Sequence, residues 1–337
     1  MATTSTLPPT RWLLDNCPCP LCLHPVTRER TVALVDRAGT DPRSITTDDQ
    51  GAITVDWGDG HVGTFPTELL GAREVLDVAA SSLAPLQRIG YGELDTDLGS
   101  RRWLTVMLSA GAIIVDDTPN LTGEVVRLAE RIGYARPTNF GTIFDVESRP
   151  DPNNSAYTAA GLDLHTDLPN WAFPPDFQFL HALANEARGG DSTLADGVAV
   201  ATELRHTDPK AFELLARQPV PFRFHDDRDD IRFAAPIIEL GAAGDPVAIR
   251  FNNWIRDVDP GADDEFYNAY LALWNLLRDP QNVVALRLEA GQTLCFDNRR
   301  VLHGRTEFDP QSGRRHLQGC YVDRDMVESR ARRLALR

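Results

Sequence analysis

Long apolar runs are missing from this 337-residue chain. No stretch of about 18 consecutive apolar residues occurs, so no transmembrane helix is expected. Basic residues are outnumbered: 34 Lys and Arg against 49 Asp and Glu leave a net charge of −15. Such a molecule repels nucleic acid and anionic membrane surfaces, and its field favours a small cationic ligand. Cysteine is scarce at five residues. Three of the five crowd into Cys17-Pro18-Cys19-Pro20-Leu21-Cys22, which speaks against a disulfide framework and for a reducing, cytoplasmic compartment. The first ten residues lack a basic stretch followed by an apolar core, so no secretory leader is expected. No internal repeat is apparent, and the only biased segment is the Thr/Ser/Pro-rich stretch 1–11, read as disordered. What remains, 42% hydrophobic and 25% charged, is the composition of a globular protein long enough for one large and one small domain.

The small domain is expected over 12–90. Cys-x-Cys-x-x-Cys brings three thiolates round one tight turn, and a nitrogen donor would close a tetrahedral zinc site. His24 and His61 both remain open as that donor. Stretches 31–35, 53–57 and 62–65 read as short strands between Asp/Gly turns, and 85–98 reads as a linker.

The large domain is expected over 91–337. Its helices are predicted at 102–110, 122–133, 198–206, 210–217 and about 263–278, followed by a basic C-terminal helix. Strands are predicted at 112–116, 177–183, 193–196, 221–225, 236–240, 247–252, 283–288, 292–297 and 316–322. Many short strands with few helices argue for a double-sheet jelly roll. Residues 136–156 read as a long loop lining a site. His181 and Cys295 read as core, and His225 with Asp226, Asp227, Asp229 and Asp230 as a solvated acidic loop.

One constellation stands out. In Leu164-His165-Thr166-Asp167 the alternation of an extended strand puts His165 and Asp167 on one side. His303, returned by a distant strand, would complete a three-donor facial set that leaves three positions of an octahedral iron open. Arg314-Arg315 follow about a dozen residues later, where a guanidinium suits a bidentate grip on a dicarboxylate.

Four motifs, Gly-Leu-Asp-Leu-His-Thr-Asp (161–167), Arg-Gly-Gly-Asp-Ser (188–192), Asp-Asn-Arg-Arg-Val-Leu-His-Gly-Arg (297–305) and Arg-His-Leu-Gln-Gly-Cys-Tyr (315–321), resemble the gamma-butyrobetaine dioxygenase family. These are Fe(II)- and 2-oxoglutarate-dependent hydroxylases of the taurine dioxygenase-like superfamily. The resemblance runs from about residue 12 to residue 330. It implies a double-stranded β-helix with a small N-terminal zinc-binding β domain, and a homodimer. It implies that His165, Asp167 and His303 ligate Fe(II), that Arg315 rather than Arg314 binds 2-oxoglutarate, and that Ser192 assists. It selects His61, after Trp57-Gly58-Asp59-Gly60, as the fourth ligand of a structural zinc with Cys17, Cys19 and Cys22. It implies an aromatic cage of Phe140, Phe144, Tyr157 and Tyr321 for a trimethylammonium group, with Asn154 and Asn252 contacting substrate. Two positions depart from the family: phenyl rings at 140 and 144 replace Tyr and Trp, and Leu168 replaces an aromatic of the animal enzymes. The activity implied is hydroxylation of gamma-butyrobetaine to L-carnitine with O2 as co-substrate and succinate and CO2 released. Hydroxylation of trimethyllysine, of a trimethylaminoalkyl phosphonate or of a natural-product intermediate is the alternative. A zinc-containing binding protein that has lost catalysis is the alternative from another class.

Overall fold

The structure is a computed structural model that describes residues 7–37, 39–70, 80–147 and 158–335. The chain divides into two units, Met1–Asp77 and Val78–Arg337.

The smaller unit holds helix α1 (Thr10–Asp15), a three-stranded antiparallel sheet of β1 (Ser44–Thr47), β2 (Ile53–Asp56) and β3 (Val62–Phe65), and the one-turn helix α2 (Thr67–Leu70). Ile53 and Val55 alternate onto the buried face of β2 and meet Leu13, Leu14, Trp57 and Phe65 in a small core. Two expectations are corrected. Thr10 and Arg11 belong to α1 and not to a disordered tail. The strand expected over 31–35 does not form, and Leu34–Arg37 is a short 3-10 helix with no buried residue. Val32 is half-buried against the small core and Val35 is exposed, so the stretch lacks the alternating buried face on which β-propensity acts.

The larger unit contains, in order, β4 (Gln87–Gly90), α3 (Asp97–Ala110), β5 (Ala112–Asp116), α4 (Glu124–Glu130), β6 (Phe144–Val146), β7 (Leu162–His165), β8 (Phe177–Asn185), β9 (Arg188–Gly189) and β10 (Ser192–Asp196). There follow α5 (Gly197–Thr207), α6 (Pro209–Arg217), β11 (Val220–His225), β12 (Asp230–Ala235), β13 (Ile238–Leu240), β14 (Pro246–Ile249), α7 (Asp264–Arg278), β15 (Val283–Leu286), β16 (Thr293–Asp297), β17 (Val301–Arg305), β18 (Phe308–Asp309), β19 (Arg315–Val322) and α8 (Arg324–Ala335). A six-stranded sheet has the order β4-β5-β16-β8-β19-β6, and a four-stranded sheet the order β15-β10-β17-β7. Leu180, Leu294, Phe296 and Leu317 from the first meet Leu194 and Val301 from the second in a shared apolar layer. The outward residues of the small sheet, Leu164, Ala195 and Leu302, pack instead under α5, α6 and α7 with Phe212, Leu215, Phe266 and Leu273. Period-two alternation thus gives each strand two apolar duties, as a jelly roll covered by helices requires.

Local capping sets the helix starts. The Asp196 carboxylate accepts from the Val198 and Ala199 N–H groups, and Asp263 from Phe266 N–H, each cap contributing about 1 kcal/mol. The boundary expected at 90/91 falls inside this unit. Strand β4 runs parallel to β5 with Ile89 beside Val115, so the stretch read as a linker holds an edge strand, a 3-10 helix (Tyr91–Asp95) and the start of α3. Strand β12 was also not foreseen. The acidic run after His225 is the turn of the β11–β12 hairpin, which Arg223 closes by pairing with Asp230.

Candidate active site

Strands β7 and β17 lie side by side, with His165 directly opposite His303 and a register shift after His303. The two imidazole centroids are 4.3 Å apart. Asp167 lies beyond the end of β7, so the alternation argument holds for His165 and fails one step later. What turns the carboxylate inward is a reversal at Leu168, whose φ of 54° is left-handed and unfavourable for a branched side chain. Asp167 Oδ1 then stands 3.5 Å from His165 Nε2 and 3.8 Å from His303 Nε2. Donors each about 2.0–2.2 Å from one ion lie at most about 4.4 Å apart, and both gaps fall within that limit.

Supporting contacts fix two of the three donors, while His303 Nδ1 has no hydrogen-bond partner among the described residues. His165 Nδ1 is 2.8 Å from the Asp163 carbonyl. A carbonyl only accepts, so Nδ1 carries the proton and Nε2 keeps its lone pair for the site. The Asp163 carboxylate is itself held by Trp274 Nε1 at 2.8 Å and Arg278 Nε at 2.7 Å. Asn298 grips the backbone of Asp167 from both sides: its Oδ1 accepts from Asp167 N–H at 2.7 Å, and its Nδ2 donates to the Asp167 carbonyl at 3.1 Å. The Tyr321 hydroxyl donates to Asp167 Oδ2 at 2.7 Å.

Burial alone would raise the Asp167 carboxyl. His303, His165 and the Tyr321 hydroxyl outweigh it and hold the group well below the usual carboxylate range. Burial, with His165 alongside, pushes the His303 imidazole down to about 3. One carboxylate and two imidazoles on one face form a donor set suited to non-haem iron(II).

The cluster opens into a cavity of about 370 Å³, within the range of small-molecule sites. Arg315 lines it and is buried. Its Nη2 reaches the Gly190 carbonyl at 3.3 Å, and its Nε and Nη1 have no partner among the described residues. Burial, then the nearby Arg305 and Arg287, pushes the guanidinium down to about 10, so it is still charged at neutral pH. A buried cation with unspent donors fits a carboxylate that arrives with a ligand. Gly190 makes room for it, since a Cβ there would lie 2.7 Å from Arg315 Nε. Arg314, by contrast, is exposed and bonds to His316 Nδ1 at 3.0 Å. Ser192 is buried on the same cavity wall.

Of the expected cage, Phe140, Phe144 and Tyr321 line the cavity. Phe144 and Tyr321 pack with tilted rings at 5.1 Å, and Phe140 meets Phe224 edge-on at 5.3 Å. Phe144 can lie there because residue 319 is glycine: a Cβ would meet its ring at 2.4 Å. Asn154 and Tyr157 lie outside the described residues. Asn252 borders the cavity, but its amide is committed to backbone bonds with Trp254 N–H, Ile255 N–H and the Thr166 carbonyl. It therefore shapes the loop that borders the cavity. That loop carries a residue the sequence reading missed: Trp254 lines the cavity and stands perpendicular to His165 at 5.2 Å. Asn298 was missed as well, although it sits inside a quoted motif. A more open groove of about 1200 Å³ lies elsewhere on this unit. Most of its charges are paired with one another, Arg300 with Asp196, Arg299 with Glu239 and Arg324 with Asp297, and its Arg250 is spent on the backbone carbonyls of Pro169, Trp171 and Ala172.

The smaller unit holds a second cluster. Cys17, Cys19, Cys22 and His61 bring their donor atoms within 4.8 Å of one another. His61 Nε2 is 3.1 Å from Cys17 Sγ and 3.2 Å from Cys22 Sγ. Burial, with the neighbouring cysteines, pushes the Cys17 thiol up to about 12, so a bound cation would be what makes it a thiolate. His24 is exposed and accepts from Val26 and Thr27 N–H groups. Of the two histidines left open, only His61 joins the cysteines.

Comparison with known proteins converges on the same chemistry. The family described as "Taurine catabolism dioxygenase TauD, TfdA family" matches residues 82–321, and "Gamma-butyrobetaine hydroxylase-like, N-terminal" matches residues 2–70. A solved asparagine oxygenase, in complex with Fe(II), 2S,3S-3-hydroxyasparagine and succinate, shares the fold. It superposes with a TM-score of 0.52 at 22% identity, over 66% of this chain and 78% of its own. The protein is a 2-oxoglutarate-dependent dioxygenase. Gamma-butyrobetaine dioxygenase of Pseudomonas sp. (strain AK-1) is 40% identical over 95% of this chain and 88% of its own. The human protein of that name is 30% identical over 98% and 92%, and mitochondrial trimethyllysine dioxygenase of Rattus norvegicus 29% over 96% and 82%. The chain belongs to the gamma-butyrobetaine dioxygenase family, within the TauD/TfdA dioxygenases.

Proposed function

We propose that this chain is an iron(II)-dependent hydroxylase of a trimethylammonium compound, gamma-butyrobetaine before others, and that its Cys/His cluster holds a structural zinc. The observation that carries the reading is one cavity in which three groups converge: the His/Asp/His donors, the unpaired Arg315 guanidinium, and the rings of Phe140, Phe144 and Tyr321. Arg315 and Tyr321 stand six positions apart on β19, roughly 20 Å along the strand at about 3.3 Å per residue. The cavity is therefore long enough to seat a dicarboxylate and a second ligand in line.

His165, Asp167 and His303 would hold iron(II), which would supply the dioxygen activation that couples 2-oxoglutarate oxidation to C–H hydroxylation. Arg315 takes the distal carboxylate of 2-oxoglutarate. Leu162, Leu180 and Leu317 wall that end and exclude water, which strengthens the ion pair. A trimethylammonium group has no N–H to donate, so ring faces are its natural partners. Holding it there fixes which carbon faces the metal. The 40% identity to a gamma-butyrobetaine dioxygenase, against 29% to a trimethyllysine dioxygenase, favours the shorter amine. Phenyl rings at 140 and 144 favour a second reading, a different quaternary amine.

The test is succinate release by iron-loaded, anaerobically purified protein given 2-oxoglutarate and air, alone or with gamma-butyrobetaine or trimethyllysine. Strong stimulation by gamma-butyrobetaine, with a product heavier by one oxygen atom, is expected. Stimulation by trimethyllysine alone would replace the substrate. No succinate in any tube would refute the hydroxylase.

A further inference from the structure

Tyr321 does something a cage ring does not need to do. Its hydroxyl points at the far oxygen of Asp167, 2.7 Å away, while the near oxygen, Oδ1, faces both histidines. We propose that Tyr321 is a positioning residue for Asp167, holding Oδ2 so that only Oδ1 is presented to the metal. The inference rests on the iron reading given above.

The chemistry explains why such a holder is useful. A carboxylate has two donor oxygens and can ligate through one or through both. If Asp167 chelated, it would take one of the three positions that the co-substrate and dioxygen require. The ionised carboxylate only accepts, so the phenol must be the donor. A bond to a charged acceptor is among the stronger kinds.

The geometry makes the hold rigid. The backbone of Asp167 is gripped by Asn298, which leaves rotation of the carboxylate as its main freedom. The Tyr321 ring is itself locked: it is 3% exposed, packs against the Phe144 ring at 5.1 Å, and belongs to a strand paired with Phe177–Asn185. Its own carbonyl accepts from Arg136 N–H at 2.8 Å. A hydroxyl on so fixed a ring does not follow the carboxylate, and the carboxylate must come to it. One residue then serves both the metal and the ring-lined end of the cavity.

Tyr321→Phe separates the two roles, because it keeps the ring and removes only the hydroxyl. Fe(II) is titrated anaerobically into the full chain with 2-oxoglutarate present, and binding is followed by calorimetry and by the metal-to-ligand charge-transfer absorption. Wild type should bind, and Tyr321→Phe should bind iron about 10- to 100-fold more weakly, the loss usual for a partner of a metal ligand. Its charge-transfer band should shift, and more succinate should form per hydroxylated product, while the KM for the amine stays within about threefold of wild type, since the ring face remains. Phe144→Leu keeps the hydroxyl but removes the ring that fixes it, and should weaken iron binding in the same direction by less. Unaltered iron affinity and spectrum in both variants, with a raised KM for the amine, would overturn the proposal and leave Tyr321 a cage residue alone. Failure of wild type itself to bind iron would overturn the underlying site instead.

Discussion

The two donor clusters of this chain have similar reach and opposite designs. In the smaller unit Cys17, Cys19, Cys22 and His61 supply four donors, enough to fill a tetrahedron. In the larger unit His165, Asp167 and His303 supply three, and beside them lies a cavity with an unpaired guanidinium. The closed set comes from one tight turn and one hairpin, inside a core of about a dozen residues. A core so small gains from a metal that contributes folding free energy. The open set is mounted between two sheets with a core of their own, and two of its three ligands are braced by neighbours: Asp163 on His165, and Asn298 and Tyr321 on Asp167. The number of donors left unsupplied, more than their identity, separates a metal that stabilises from one that reacts.

That contrast can be broken at several points. The largest effect is expected for His303→Ala, which removes a ligand and a buried ring packed on Phe296 and His165: succinate formation should fall to background while the protein, at a lower melting temperature, stays folded. Retained turnover would remove the three-donor cluster from catalysis. Cys19→Ser should act in the opposite sense, lowering zinc content and the unfolding temperature of the small unit. Metal analysis and calorimetry would register both, and the protein that stays folded should keep its iron-dependent turnover. Arg315→Ala should raise the KM for 2-oxoglutarate by about 10- to 100-fold, the loss of charge-assisted bonds at about 1.5–3 kcal/mol. The KM for the amine should move much less, and equal movement of both would contradict separate subsites. The smallest effect is expected for Asn298→Ala, which leaves the buried Asp167 N–H without its acceptor. A stability loss of about 1–3 kcal/mol by denaturant titration should accompany weaker iron binding, whereas an unchanged midpoint would mean that the turn holds Asp167 unaided.

Legibility in the sequence followed the range of the interactions involved. The strand Ala112–Asp116 and the helices after Asp196 and Asp208 were readable because a short continuous apolar run, caps and a Pro at the first helical position are local signals. The cysteine turn was readable for the same reason. The edge strand Gln87–Gly90 was not, because its only sheet partner, β5, runs parallel to it across an intervening helix. His165 was placed on its strand correctly, but the inward turn of Asp167 depends on the left-handed Leu168 and the Asn298 grip, which no local pattern encodes. Asn252, read from the resemblance as a substrate contact, borders the cavity, and its bonds to its own loop were not legible. Trp254, two residues on, shows that a loop residue's direction is set by such turns and not by its chemistry.

The contrast between the clusters is tested most directly by mild chelation of the purified protein, with both metals counted before and after. One iron should leave together with all succinate formation, one zinc should remain with the fold intact, and Fe(II) alone should restore activity. Loss of both metals in step with unfolding, or full activity after the iron has gone, would contradict the division of labour argued here.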